Sequence, residues 1–326
     1  MRLLKLVPDN TTLDFMRWRN WALLISILVT AASIALVFTR GLNLGVDFVG
    51  GQSVRVTFSQ PPNLDDLRNR VNGAGEGGAS LQELGSPNVI AIRMPLPDGG
   101  EAAASRAASQ VRAAITARYR DARFDAVETV SGKVSEELFR SGALAIALAM
   151  LGIAVYIWIR FEWQFGVGAL VTLFHDVWMT MGFFSLTQIE FNLNVVAAIL
   201  TIVGYSLNDT VVIYDRIREN LRKYRKMEIV PLLNLSLNET LSRTMVTSLS
   251  IMLALAALLI LGPDVIFGLT AAILVGIFVG TYSSIYISSP ILVWLRVATS
   301  SFLPKDPVSR ADRSGPRNER HDGAQV

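Results

Sequence analysis

The sequence predicts a polytopic α-helical membrane protein with six transmembrane helices and one small α+β domain outside the membrane. The first observation is composition: of 326 residues, 51% are hydrophobic and 17% are charged, and the mean hydropathy is +0.41. The second is that the apolar residues form runs longer than a helix in a soluble core needs. The third is a mixed stretch between the first two runs, in which short strand and helix patterns alternate.

Six apolar runs are long enough to cross a membrane. A helix needs about 20 residues to span roughly 30 Å of hydrocarbon. We interpret the first run as an uncleaved anchor, because it is longer than the apolar part of a signal peptide. The predicted spans are residues 21–38, 142–159, 165–186, 193–214, 245–261 and 266–295.

The distribution of Lys and Arg predicts the orientation. Basic residues are concentrated before the first span, after the fourth and after the sixth, whereas the connections 187–192 and 262–265 have none. Loops rich in Lys and Arg face the cytoplasm, so both termini should lie there. The predicted organisation is a cytoplasmic N-terminus (1–20), the first span (21–38), an extracytoplasmic domain (39–141), spans two to six (142–295) with a cytoplasmic loop (215–244), and a cytoplasmic, disordered tail (296–326).

The extracytoplasmic domain has the β-α-β-β-α-β order of a ferredoxin-like fold. Val54, Val56 and Phe58 alternate with polar residues as a half-buried strand does, and Asn63 is placed to cap the following helix. We expect a binding or lever role for this domain, with an inert spacer as the alternative. The remaining predicted elements are strands at 80–84, 89–94 and 124–130 and a helix at 101–119.

Several classes of protein are excluded or disfavoured. The chain has no Cys, which excludes disulfides, thiol catalysis and cysteine metal sites. Its two histidines, His175 and His321, are far apart, so no metal site or cofactor is expected. We find no nucleophile with a nearby base and therefore expect no enzyme. The net charge of +3 follows from the basic loops and does not indicate a nucleic-acid partner.

Asp209 is the first candidate functional residue, because it lies with Asn208 inside the fourth apolar run. An ionisable group in hydrocarbon is costly and is a functional hypothesis by default. Low dielectric disfavours its charged form, so the group can take up and release a proton. Arg243, one turn before Thr247, is the nearest strong cation in the sequence. Either its distance from Asp209 changes and controls the proton, or the two form a permanent ion pair that fixes helix register.

His175 and Asp176 form a second polar pair, in the third apolar run. Adjacent positions on a helix do not face each other, so we expect the two side chains to bond to different neighbours. Orientation of neighbouring helices is the favoured role, and a place in a proton path is the alternative.

Two glycine-containing patterns remain. Gly45, Asp47, Gly50 and Gly51 follow the first span, where the glycines permit tight turns and Asp47 is expected to be a turn residue. In the sixth run small residues recur every fourth position, which lets helices pack closely, within the bundle or against a partner. This small-residue stripe is Gly268, Ala272, Gly276, Gly280, Ser284 and Ser288. Residues 227–241 are expected to lie along the membrane surface as an amphipathic segment.

Four motifs together carry a family resemblance. They are GLNLGVDFVGG at 41–51, the pair His175 and Asp176, SLNDTVVIYDRIREN at 206–220 and LSRTMVTS at 241–248. In this order they resemble the SecF family, the smaller membrane subunits of the bacterial SecD/SecF accessory complex of the Sec translocase. That family belongs to the resistance-nodulation-division superfamily, so the resemblance implies half of a bundle of that type.

The resemblance also implies a function. Such a subunit sits in the cytoplasmic (inner) membrane, among its lipids, and uses the proton or sodium motive force to help pull unfolded preproteins across. The implied ion-relay residues are Asp209, Arg243 and Thr247, and Asn208, His175 and Asp176 are possible polar support. The implied partners are a SecD-like chain and the SecYEG translocon. An ion-driven exporter of small molecules or lipids and a passive translocon scaffold are the alternatives.

Overall fold

The structure is a computed structural model that describes residues 11–74, 79–84, 86–95, 97, 100–125 and 127–297. Most of the predicted tail, from residue 298 onward, lies outside the described residues. In chain order the elements are α1 (Arg19–Thr39), α2 (Val46–Val49), β1 (Gly51–Thr57), α3 (Leu64–Ala74), β2 (Ser80–Leu84), β3 (Ser86–Met94), α4 (Gly100–Arg118), β4 (Arg123–Phe124), β5 (Glu128–Val130), α5 (Gly132–Arg160), α6 (Trp163–Thr187), α7 (Leu193–Lys223), α8 (Ile229–Leu261), α9 (Phe267–Tyr286) and α10 (Ser288–Trp294).

The membrane bundle consists of α1 and α5 to α10. Within the part of the chain that the structure describes, six helical stretches are long and apolar enough to cross a membrane, with α9 and α10 counted as one stretch. The predicted number of spans is therefore confirmed. Helix α7 lies at the centre, where its buried residues pack against α6, α8 and α9.

The α+β domain, formed by α2 to α4 and β1 to β5, has the predicted element order. Its sheet has the strand order β2-β3-β1-β4, and β5 also pairs with β1. Helices α3 and α4 cover one face, where Val56, Ile92, Leu67 and Ile115 form the core. The Asn63 side chain caps α3, because its Oδ1 accepts hydrogen bonds from the backbone N–H groups of Asp65 and Asp66.

The last strand of this domain differs from the prediction. The sequence predicts one strand over 124–130, whereas the structure has two short strands, β4 and β5, that pair separately with β1. Residues 125 and 127 lie outside both strands. The edge of the sheet beside β1 is therefore interrupted.

The predicted cytoplasmic loop 215–244 is mostly helical. Helix α7 continues to Lys223 and α8 begins at Ile229. The segment expected along the membrane surface is instead the first half of α8. Its apolar stripe, which includes Leu233 and Leu237, packs in one core cluster with Met16 and Ile217. Because these apolar side chains are buried against protein, they do not face the membrane surface as the sequence predicted.

Helix α5 begins ten residues before the predicted second span. The Ser131 side chain accepts a hydrogen bond from the Val134 N–H and caps its first turn. One turn on, the buried Ser135 hydroxyl donates to the backbone oxygen of Val46 at 3.1 Å. The helix is therefore tied to α2 before it enters the bundle.

The small-residue stripe of α9 packs inside the bundle. A Cβ atom at Gly276 would overlap the Ile202 side chain, and one at Gly280 would lie 3.2 Å from Ser206 Cβ. Both contacts are to α7, so the glycines set the close approach of these two helices. Of the two alternatives that the sequence leaves open, the structure shows packing within the bundle.

Candidate functional site

Asp209 lies on the buried side of α7 and is 3% exposed. The Ser248 hydroxyl on α8 donates to its Oδ2 at 3.4 Å. Ser248 Oγ in turn lies 2.8 Å from the Thr281 hydroxyl on α9 and 3.1 Å from the Tyr205 hydroxyl on α7. Asp209 is thus the end of a hydroxyl network that joins three helices.

Arg243 and Thr247 lie on the exposed side of α8. Among the residues that the structure describes, no ion pair within 4.0 Å joins Arg243 to Asp209. The Thr247 hydroxyl donates to the Arg243 backbone oxygen at 2.9 Å. This arrangement does not contain the permanent ion pair that was one alternative. Ser248, the neighbour of Thr247, is the α8 residue that contacts Asp209.

Two buried hydroxyl groups lie near this network in sequence and have no hydrogen-bond partner among the described residues. They belong to Thr210, next to Asp209, and to Thr244, one turn before Ser248. Oxygen atoms without donors or ligands in a low-dielectric region are costly. The buried polar atoms around Asp209 are thus only partly paired. No group of three or more metal-ligating His, Cys, Asp or Glu residues occurs in the described ranges.

Asp176 on α6 forms a second buried carboxylate site and is fully buried. Its Oδ2 accepts hydrogen bonds from Ser206 on α7 at 2.5 Å and from Ser283 on α9 at 2.9 Å. His175 Nδ1 lies 2.9 Å from Asp176 Oδ1. The expectation that these two side chains bond to different neighbours is therefore wrong for this contact. Nδ1 is the ring nitrogen nearest the backbone, so it reaches the adjacent carboxylate despite the angle between neighbouring helix positions.

The two carboxylate sites are neighbours across α7 and α9. Ser206 and Asp209 are three residues apart on α7, and Thr281 and Ser283 are two residues apart on α9. A polar layer thus crosses four packed helices, α6 to α9. Asn208, on the exposed side of α7, does not join it.

The glycine motif after the first span holds the start of α7. Asp47, in the first turn of α2, accepts a hydrogen bond from the Leu193 N–H at 2.9 Å. It is therefore more than the turn residue that the sequence predicts, because it caps the helix that carries Asp209. Gly50 and Gly51 have φ angles of 78° and 119°, and a Cβ atom at Gly51 would lie 2.5 Å from the Met94 oxygen. Both positions require glycine.

A polar network fixes the α+β domain to the connection between α6 and α7. Arg93 on β3 forms an ion pair with Glu190 at 3.4 Å and donates to Asn43 Oδ1 at 2.9 Å. It also donates to Gln82 Oε1. Asn43 Nδ2 donates to the Gln188 oxygen at 2.8 Å. Burial raises the pKa of the Glu190 carboxyl, and Arg93 opposes that effect.

Comparison with known proteins agrees with this architecture. A family model described as protein export membrane protein SecD/SecF, C-terminal, matches residues 110–298, and one described as the SecD/SecF GG motif matches residues 35–62. The protein translocase subunit SecF of Cereibacter sphaeroides is 41% identical over 99% of this chain and 97% of its own length. That of Pseudomonas aeruginosa is 41% identical over 92% of this chain and 97% of its own length.

Solved structures of SecDF share the fold. SecDF of Thermus thermophilus, described as a translocon-associated membrane protein, is 34% identical to this chain and matches with a TM-score of 0.81. A SecDF structure in a super-membrane-facing form matches with a TM-score of 0.65. Each match covers 88% of this chain and 39% of the SecDF chain. The chain therefore spans well under half the length of those proteins.

The fold and site define a multi-pass membrane protein with buried carboxylates inside its helix bundle and an α+β domain docked at one end. The chain belongs to the SecD/SecF family of protein export membrane proteins and is of the SecF type. Its relatives are protein translocase subunits, so it is an accessory subunit of protein export and not a catalytic enzyme.

Proposed function

We propose that this protein, together with a SecD-like chain, uses the proton or sodium motive force to promote translocation of unfolded preproteins through SecYEG. One observation carries the proposal: the helix that bears the buried Asp209 is held at its start by the α+β domain, through Asp47. An ion that binds at Asp209 therefore acts on an element that is mechanically tied to a domain outside the membrane.

The charge state of Asp209 determines the contacts between helices. When ionised, the carboxylate attracts the Ser248 hydroxyl and any cation near it. When protonated, it loses that attraction, and the hydroxyl network is free to rearrange. Arg243, on the exposed side of the same helix as Ser248, is placed to compensate the charge when α7 and α8 move relative to each other.

The available energy is sufficient to drive such a change. One elementary charge that crosses the membrane gains about 2.3 kcal/mol per 100 mV. A difference of about 1.4 kcal/mol changes an equilibrium constant tenfold. One ion per step can therefore shift the balance between two arrangements of α7 and α8 by more than tenfold.

The exposed side of α7 supports the need for a second bundle. Ala197, Thr201, Gly204 and Asn208 are exposed and recur at helical spacing, and all four are small or polar. Small and polar residues are typical of contacts between helices in membranes, and less so of lipid-facing surfaces. A SecD-like chain is the proposed occupant of this face. We place both termini of the subunit in the cytoplasm, following the positions of its basic loops.

The test is complementation with Asp209→Asn. The amide keeps the shape of the carboxyl group and an acceptor oxygen for Ser248, but it cannot take up or release a proton. In a strain that depends on this variant, we expect normal amounts of inserted protein and loss of the secretion that responds to the motive force. Normal secretion would contradict the proposal.

A control variant tests whether the loss of any polar side chain in the bundle has the same effect. Ser250 is exposed on α8, where its hydroxyl donates to the Val246 backbone oxygen, so Ser250→Ala should retain most of the activity. A passive scaffold, one of the two alternatives, predicts that Asp209→Asn behaves like the parent. Ion flux measured on the purified SecD-containing complex in vesicles distinguishes the same two functions directly.

A further inference from the structure

A cleft of about 310 Å³ lies in the α+β domain between α4 and the edge of the sheet. Val54, Val111 and Phe124 supply apolar surface, and Ser109 and Arg112 lie at the rim. Asp125, Val127 and Thr129, from the region of the interrupted last strand, also line the cleft. No part of the transmembrane ion-relay region lines it.

Gln52 is an unusual polar residue in this cleft. It is 2% exposed, and its Nε2 lies 3.5 Å from the Thr129 hydroxyl. Its Oε1 is buried and has no hydrogen-bond partner in the described part of the protein. A buried acceptor without a donor is destabilising. A ligand with an N–H group that reaches Oε1 would remove that destabilisation, whereas a purely apolar ligand would leave it in place.

The neighbouring sheet edge has free main-chain groups. β4 and β5 each pair on one side with β1, and the described sheet gives them no strand on the other side. Val127, between the two strands, is 45% exposed. An unpaired edge of this kind is a template for an extended chain, which adds main-chain hydrogen bonds and places alternate side chains toward the neighbouring pocket.

We propose that the cleft and the β4–β5 edge bind an extended segment of polypeptide. The segment pairs with the edge, inserts an apolar side chain between Val54 and Phe124, and provides an N–H donor to Gln52. This inference rests on the proposed function, in which an unfolded preprotein is the substrate and supplies such a segment. A fatty acyl chain would fill the apolar surface without satisfying Gln52.

The experiment measures peptide binding to the full chain in detergent micelles, with no membrane potential. The probe is a short, fluorescently labelled synthetic peptide with Val at alternate central positions and Lys at both ends, followed by fluorescence anisotropy. Gln52→Met keeps the side-chain size and removes an unpaired acceptor, so the variant should fold as well as the parent. We expect its affinity for the peptide to fall about tenfold, the change that corresponds to about 1.4 kcal/mol.

Two tryptophan variants of α4 provide a matched pair. Ala108 lines the cleft, so Ala108→Trp should fill it and abolish binding. Gln110 is exposed on the same helix and does not line the cleft, so Gln110→Trp should bind like the parent. A peptide whose alternate main-chain amides are methylated should bind at least about tenfold more weakly than the parent peptide, since it lacks donors for the edge.

The outcomes separate this inference from the proposed function. Asp209→Asn should bind the peptide as the parent does, even though its secretion fails. No binding by the parent, or equal binding by parent, Gln52→Met and Ala108→Trp, would overturn the inference and leave the ion relay intact. Displacement of the peptide by lauric acid together with full affinity of the methylated peptide would identify a lipid cleft and would also overturn it.

Discussion

Arg93 in the α+β domain and Glu190 in the connection between α6 and α7 form an ion pair at 3.4 Å across the boundary between domain and bundle. Their side chains are 12% and 17% exposed. Asp47 accepts a hydrogen bond from the N–H of Leu193, which lies three residues after Glu190 at the start of α7. The domain therefore contacts the start of this helix at two adjacent points. A movement of α7 therefore has a direct route to the domain.

Glu190 should make the stability of this junction depend on pH. Burial raises its folded-state pKa above the ordinary value of 4.5, and Arg93 opposes while Glu128 adds to that shift. Arg55 and Asp47 also act on it, the first opposing and the second adding. The contribution of Glu190 to the free energy of unfolding is therefore complete below pH 4.5 and is lost as the pH rises through its raised pKa.

The variant Glu190→Gln removes this titration. Its melting temperature in micelles should fall less than that of the parent as the pH is raised from acid toward neutral. Glu136→Gln, at an exposed position of α5, serves as the control and should follow the parent. If the melting temperatures of the Glu190→Gln variant and the parent fall equally with rising pH, Glu190 is not the group responsible for the pH dependence.

Single cysteines on α7 should crosslink to a SecD-like chain with a helical period. Thr201 and Asn208 are exposed and Tyr205 is half-buried on the same side of the helix. The chain has no cysteine of its own, so any crosslink comes from the introduced residue. Ile202→Cys is the control, since Ile202 packs against Gly276 and should give none. Crosslinks only between copies of this chain would leave the paired bundles without support.

The charge of Arg243 should matter more than its packing. Arg243 is exposed and has no ion pair to Asp209, so Arg243→Ala should insert and fold normally and yet fail to support motive-force-dependent secretion. Arg243→Lys should retain part of the activity, because lysine keeps the charge without the guanidinium fork. Arg225→Ala, at an exposed cation between α7 and α8, is the control. Parent-level secretion by Arg243→Ala would show that the cation has no role.

Asp176 should be important for stability of the bundle. Asp176→Ala leaves the Ser206 hydroxyl and His175 without this acceptor, whereas the Ser283 hydroxyl can still donate to the Gly280 backbone oxygen. Each buried group left unpaired costs about 1–3 kcal/mol. Asp176→Asn keeps one acceptor oxygen and should cost less. Thermal unfolding in micelles measures both. If alanine and asparagine destabilise equally, the hydrogen bonds seen at Asp176 contribute little.

Hydropathy and spacing were sufficient to predict the main elements. Apolar runs of about 20 residues predict membrane spans because hydrocarbon thickness sets their length. The alternation at Val54, Val56 and Phe58 predicts β1, and the isolated Asp209 was found because a carboxylate in an apolar run stands out. Each of these inferences depends on residues that are close in the sequence.

Other features depend on which helices become neighbours. An amphipathic run such as residues 229–241 fits a membrane surface as well as a helix packed on protein, and only the contact with residues 15–16 decides between them. Ser248 and Thr281 are ordinary residues in apolar helices, and their hydroxyls gain a role only when α8 and α9 meet at Asp209. The pairing of Arg93 with Glu190 likewise joins distant parts of the chain.

The unbroken length of α7 has a mechanical consequence. Its 31 residues form a rod about 46 Å long, at 1.5 Å per residue, which exceeds the roughly 30 Å of hydrocarbon. A rotation of this rod by about 5° around one end displaces the other end by about 4 Å, by the geometry of a helix of that length. Since the Leu193 N–H is hydrogen-bonded to Asp47 of the α+β domain and the helix runs on without a break to Lys223, a tilt at one end is transmitted to the other. Under the proposed function, a protein that binds the Lys223 end would therefore resist or favour ion uptake at Asp209 without touching it.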